Sequence, residues 1–234
     1  ILDTYLIGVN MKNKNQITIG YQGVEFSNNY FATLKFIERE KFNTQPILKP
    51  LVSSKRVVNA LKKGDIDYGV CASYNTIGGV VPETFKEITN TPVELLDTLS
   101  LPIHHCLFSK TKLEANELKQ IYSHHQAISQ CSKFLNEKCK NANINQHEDT
   151  AKTAVDLSNG VLEENGTAVI CSKQAGESCG LYLIAEKIEN TTDNQTEFLF
   201  LKMRNDKQFR KPLRDFFSLL LFAFFTDKIF GVVS

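Results

Sequence analysis

The sequence predicts an α/β fold built as two lobes with a cleft between them. Short apolar runs rich in β-branched residues alternate with amphipathic stretches of helical spacing. That alternation occurs twice, before and after about residue 100, with a break near Ser100-Leu101-Pro102. The composition is globular: 234 residues, 42% hydrophobic, 23% charged and a formal net charge of +1. Such a chain can bury a real core. It is not disordered, and its charge exerts no long-range pull on nucleic acid or an anionic membrane. The expected division is one lobe from residues 16–100 plus 182–203, a second from 101–181, and a helical tail over 204–234.

Residues 16–21 are short and β-branched and read as a strand. Residues 27–41 place Phe31, Leu34 and Ile37 at helical spacing. A strand follows at 46–51, then a helix at 53–63, with Ser53 or Ser54 as cap and Gly64 as terminator. A third strand at 67–72 completes a βαβαβ order, which implies a parallel sheet with helices on its faces. Residues 80–89 read as a helix with Pro82 in its first turn, where a missing N–H costs little. Residues 93–108 read as one or two extended segments. The α/β order then resumes with a short helix at 114–119, a strand at 121–123, a helix at 125–139 and a weak strand at 143–145. A helix at 149–164, capped by Asp149 or Thr150, precedes a strand at 167–171, a helix at 173–178 ended by Gly180, and strands at 181–185 and 196–203. A last helix is expected over 207–225.

Six cysteines, at 71, 106, 131, 139, 171 and 179, form no C-x-x-C pair. They read as small buried hydrophobes in a reducing compartment. His104-His105 and His124-His125 invite a metal reading. Adjacent strand residues point to opposite faces, so each pair is ill placed to chelate one ion, and no metal is expected. The start of the chain lacks a basic region followed by a long apolar stretch and is not read as a signal peptide. The apolar run 216–225 is too short to span a bilayer and reads as core or dimer contact.

Several motifs occur together. They are Tyr21-Gln22-Gly23-Val24-Glu25, Ala72-Ser73-Tyr74-Asn75-Thr76 followed by Gly78 and Val80, Leu101-Pro102-Ile103-His104-His105-Cys106, Tyr122-Ser123-His124-His125-Gln126-Ala127 with Gln130-Cys131, and Asp193-Asn194-Gln195-Thr196-Glu197-Phe198. In this order, over about residues 17–201, they resemble the catalytic domain of prephenate dehydratases. The resemblance implies a fold like type 2 periplasmic binding proteins, with the site in the cleft. It further implies a cytoplasmic, homodimeric lyase of phenylalanine biosynthesis, acting on a small molecule and not on nucleic acid or membrane. Such an enzyme converts prephenate to phenylpyruvate, with loss of water and carbon dioxide and without metal or cofactor. The roughly thirty residues after 203 do not fit the ACT regulatory domain that members often carry.

The resemblance makes Thr196 the proton donor to the leaving ring hydroxyl. Threonine is a poor acid in water, so a dry, aligned cleft must supply much of the effect. It sets Asn75 and Thr76 to bind substrate or hold the hinge, and puts Glu25, Ser27 and Phe198 against substrate. Two positions depart from the family: Tyr74 replaces a glutamate and Glu197 an arginine. Loss of an arginine–carboxylate contact costs about 1.5–3 kcal/mol. A carboxylate facing the substrate's carboxylates would add repulsion of about 4 kcal/mol at close range. Lys173, His104, His105 and Arg56 are candidate compensating cations. A related decarboxylase, or a binding protein that kept the cleft, stand as alternatives.

Overall fold

The computed structural model describes residues 16–191 and 193–204, so the tail over 204–234 lies, apart from Arg204, outside the described residues, as does the run 216–225. The first βαβαβ unit forms as the spacing predicts: β1 (Thr18–Tyr21), α1 (Asn28–Glu40), β2 (Ile47–Pro50), α2 (Ser54–Lys63) and β3 (Tyr68–Asn75). Ser27 and Ser53 cap the two helices by accepting the Tyr30 and Arg56 N–H groups. Gly64 ends α2 at φ 68°, a left-handed geometry that costs glycine little. After a two-residue strand β4 (Gly79–Val80) come α3 (Pro82–Thr89), with Pro82 opening the helix, and β5 (Val93–Pro102). The expected extended stretch breaks at residues 103–105 and resumes as β6 (Cys106–Ser109).

The second unit runs β7 (Gln120–Ser123), α4 (His125–Gln130), α5 (Ser132–Lys138), β8 (Asn143–Gln146), α6 (Thr150–Ser158), β9 (Thr167–Cys171), α7 (Lys173–Ser178) and β10 (Tyr182–Ala185). The last strand, β11 (Gln195–Met203), returns to the first sheet.

Three expectations are corrected. The helix expected over 125–139 is two helices. Asn190 enters the break: its N–H binds the Gln130 carbonyl at 2.6 Å, and its side chain accepts from Lys133 N–H and donates to Ser129 O and Ser132 Oγ. The helix expected over 149–164 stops at Ser158, before Gly160 turns at φ 75°. Residues 182–185, expected in the first lobe, add antiparallel to β6 in the second sheet, with Tyr182 opposite Ser109. Leu181, just upstream, is buried with Cys106, Phe108 and Val169, which commits the strand to that side.

The two sheets have orders β2-β1-β3-β11-β5, with β4 beside β3, and β10-β6-β9-β7-β8. In the first, Val57, Val58, Ile88, Leu199 and Leu201 fill the face under α2 and α3. Ile19, Phe36, Val70, Phe198 and Phe200 fill the face under α1, where Phe36 and Tyr68 each stack on Phe200 at 5.1 Å. Each buried aromatic there contributes about 1.5–3 kcal/mol of transfer free energy. The second sheet is covered by α4 and α5 on one face and by α6 and α7 on the other. Val24 and Phe26, from the β1–α1 loop, pack against this second core, with Phe26 at φ 64°. A left-handed phenylalanine stores about 1–3 kcal/mol of strain, which packing across the cleft must hold.

Candidate active site

Open parallel sheets bind ligands beyond the carboxyl ends of their strands. Here β1 ends at Tyr21 and β3 at Asn75, close to the two crossovers between the sheets, residues 103–105 and 186–194. A cleft of about 170 Å³ lies near the crossovers, lined by Asn28 from α1, Pro102 at the end of β5, His104 from the first crossover, Cys106 from β6, Ser172 and Lys173 at the start of α7, and Glu186 from the second crossover; Asn75 and Thr196 are not among its lining residues. Lys173 Nζ meets Glu186 Oε1 at 2.5 Å, and this hydrogen bond raises the Lys173 ammonium above its usual range. His104 Nδ1 lies 2.7 Å from Glu189 Oε1. Burial alone would raise Glu189, but the His105 backbone N–H and the His104 ring hold its carboxyl below the usual value. His104 and His105 are not in a strand; they occupy the crossover. His104 lines the cleft, whereas His105 is buried, with Nε2 2.7 Å from Gln130 Oε1, and burial depresses its pKa.

Asn75 and Thr196 are directly opposite across the β3–β11 ladder. Asn75 Oδ1 accepts the backbone N–H groups of Ile77 and Gly78 at 3.0 and 2.8 Å. Backbone nitrogen only donates, so this fixes which end of the amide is oxygen. Asn75 Nδ2 then presents its two hydrogens to three acceptors, Thr196 Oγ1 at 2.9 Å, Gln195 O at 3.0 Å and Asn194 Oδ1 at 2.7 Å, so that one hydrogen is shared. Thr196 is therefore the acceptor in its bond to Asn75, and its own hydroxyl proton is not used there.

Thr76 ties the end of β3 to the stretch that leads into β11. Its Oγ1 donates to Asp193 O at 2.6 Å and accepts Gln195 N–H at 2.9 Å, which pins both residues flanking Asn194. Ser27 is occupied by its helix cap, and its neighbour Asn28 is the residue that lines the cleft. Glu25 is exposed on the β1–α1 loop. After burial, its charge is what raises both the Tyr21 phenol and the Cys179 thiol, so it sits where the lobes meet.

Phe198 is not at the surface of the cleft. It is fully buried under α1, because β11 alternates and residue 198 takes a core position. The same alternation corrects the expectation for Glu197. Thr196, Phe198 and Phe200 face α1, whereas Glu197, Leu199 and Leu201 face the side of α2 and α3. An extra residue in β3, Ser73, bulges opposite Glu197 and donates to its Oε1 at 2.8 Å. Glu197 is 9% exposed, and burial raises its pKa despite the serine. Its carboxylate thus turns away from Thr196, and the expected repulsion of about 4 kcal/mol does not apply at that geometry. Tyr74 is its partner across the ladder. Arg56 stands on α2, the far face from Thr196, so among the candidate cations Lys173 and His104 are the two at the cleft.

Sequence reasoning quoted Asn194 and Gln130 only as parts of motifs, with no role assigned, and did not name Glu189. Asn194 lies in a polar stretch that reads as a surface loop, yet it is 1% exposed. Burial of one amide among polar neighbours leaves no periodic signal.

The family model described as prephenate dehydratase matches residues 19–206. The bifunctional chorismate mutase/prephenate dehydratase of Buchnera aphidicola subsp. Schizaphis graminum is 26% identical over 197 residues, covering 83% of this chain and 49% of the relative. That of Stutzerimonas stutzeri is 28% identical over 188 residues, 79% of this chain and 48% of the relative. The chain thus spans about half the length of these curated relatives. The crystal structure of prephenate dehydratase from Arthrobacter aurescens in complex with L-Phe superposes with a TM-score of 0.70 at 21% identity, covering 83% of this chain and 63% of that one, a likeness of fold.

Proposed function

The chain belongs to the prephenate dehydratase family, a family of lyases, and from that premise we propose that it converts prephenate to phenylpyruvate, water and carbon dioxide. One observation carries the assignment of the donor: Asn75 Nδ2 donates to Thr196 Oγ1 in an orientation fixed by two backbone N–H groups. The ring carboxylate leaves as carbon dioxide, and its bonding electrons enter the ring. The C–O bond to the ring hydroxyl breaks, that oxygen takes the Thr196 hydroxyl proton to leave as water, and a proton from solvent restores the threonine before the next turnover. Thr196 Oγ1 gains negative charge as the proton moves, and Asn75 is a donor already aimed at it. A donor positioned in this way contributes about 10²–10⁴ in rate. Lys173 lines the cleft in a pair with Glu186, and its ammonium is the cation we assign to a substrate carboxylate. The reading extends to a cytoplasmic protein without a nucleic-acid or membrane partner, supported by the net charge of +1 and six free cysteines, and to the homodimer that the family resemblance implies.

The test is turnover of prephenate, followed as phenylpyruvate absorbance in alkali alongside total prephenate loss. Phenylpyruvate formed at an enzymatic rate and abolished by Thr196→Ala supports the proposal. Prephenate loss without phenylpyruvate marks a decarboxylase. Binding without turnover marks a protein that kept the cleft alone. Light scattering in solution tests the dimer.

A further inference from the structure

The bond from Asn75 to Thr196 is one end of a longer chain of side chains. Asn75 Nδ2 also donates to Asn194 Oδ1 at 2.7 Å. With its oxygen so assigned, Asn194 presents Nδ2 to Gln130 Oε1 at 3.2 Å. Gln130 Oε1 lies 2.7 Å from His105 Nε2, and an amide oxygen only accepts, so His105 must carry its proton on Nε2. The Ile77 and Gly78 N–H groups therefore set the sense of every bond from Thr196 to His105.

Asn194 is where this chain passes between the sheets. Asn75 and Thr196 belong to the first sheet; Gln130 ends α4 in the second. The Asn194 carbonyl accepts Ile103 N–H at 2.8 Å, which ties the two crossovers together. Gln130 is aimed at the junction by the Asn190 contact that breaks the helix after it.

We propose that Asn194 is a positioning residue for Thr196: it accepts one hydrogen of the Asn75 amide that Ile77 and Gly78 orient, steadying the donor to the threonine, and couples that sense through Gln130 to an Nε2-protonated His105. The coupling gives one continuous path of hydrogen bonds from Thr196 to the second lobe through Asn194. The catalytic part of the inference rests on Thr196 acting as donor; the coupling itself does not.

The experiment reads both parts separately. Long-range ¹H–¹⁵N NMR of the full chain, without substrate, should show His105 as the neutral Nε2–H tautomer. Asn194→Asp cannot donate to Gln130, so the glutamine must turn its NH₂ to the carboxylate. His105 is then expected to leave the Nε2–H state. In the prephenate assay, kcat should fall about 10–100-fold with KM within about twofold, the pattern of lost transition-state alignment. Asn194→Ala, which buries no charge, should show the same split of kcat from KM. An Nδ1–H tautomer in the wild type overturns the proposal, and so does an unchanged His105 signal in folded Asn194→Asp. Absence of prephenate turnover in the wild type would sink the functional reading and leave the tautomer result standing.

Discussion

In the first sheet the parallel strands run β2-β1-β3, and antiparallel β11 lies against β3; in the second they run β8-β7-β9, and antiparallel β6 lies against β9. The two lobes repeat one topology. Asn75, the last residue of β3, faces Thr196 on β11; Cys171, the last residue of β9, faces Cys106 on β6. The first pair is half-buried and hydrogen-bonded, with a donor aimed at a hydroxyl. The second is fully buried, and burial raises both thiols, Cys171 most, so that they stay protonated. The difference begins one residue later. After Asn75 the chain turns into a hairpin whose N–H groups bind the Asn75 side chain. After Cys171 it enters α7, and the N–H of Ala175 binds Ser172 instead. One strand end thereby carries a hydrogen-bonded polar pair; at the other the facing pair is two buried thiols, and the residues that follow, Ser172 and Lys173, line the cleft.

The sharpest way to break this contrast is to substitute both ends. Thr196→Ala is expected to lower kcat about 10²–10⁴-fold. Cys171→Ala should leave turnover within about threefold while lowering stability by about 1 kcal/mol in urea denaturation. Comparable loss of kcat in both would show that the lobes are not differentiated in this way. Next in size, Phe198→Ala should cost about 3–5 kcal/mol of stability as a core truncation. Phe198→Leu, which stays folded, should keep KM near wild type, as expected of a side chain that does not reach substrate.

A smaller effect concerns Glu197. Burial raises its carboxyl, so folding favours the protonated acid. That margin is full below the ordinary value of 4.5 and is lost as pH rises through the higher folded value. Glu197→Gln is neutral throughout. Its melting temperature should exceed wild type at pH values above the raised folded value and converge with it below the ordinary 4.5. Smallest is Glu197→Arg, which restores the family's residue on the face turned from Thr196. It should not improve KM for prephenate, and a large gain would show that this face reaches the substrate.

Much of the fold was legible. Serine caps, Gly64, Pro82 and the β-branched runs fix their elements through local backbone chemistry, which sequence carries directly. The split at Gln130–Cys131 was not legible, because Asn190 makes it from sixty residues away. Nor was the membership of Tyr182–Ala185, decided by which sheet offered an edge beside Leu181. At the site, the resemblance pointed to Asn75 and Thr196, which the ladder does bring together. It could not tell Phe198 from a contact residue or show which way Glu197 faces, since both depend on the phase of one strand and a bulge in its neighbour.

The position of β11 has a consequence for how the chain is made. It lies in the interior of the first sheet, and β5 pairs with β11 alone among the described strands. The strands of the second sheet are contiguous in sequence, from Cys106 to Ala185. On a ribosome, the lobe that is started first is therefore completed last. Its ten-residue strand β5 waits, with an unpaired edge, while the other lobe is translated and can already close. Thr196 arrives on the strand that ends the wait, so the proposed proton donor appears only when the sheet that carries it is whole.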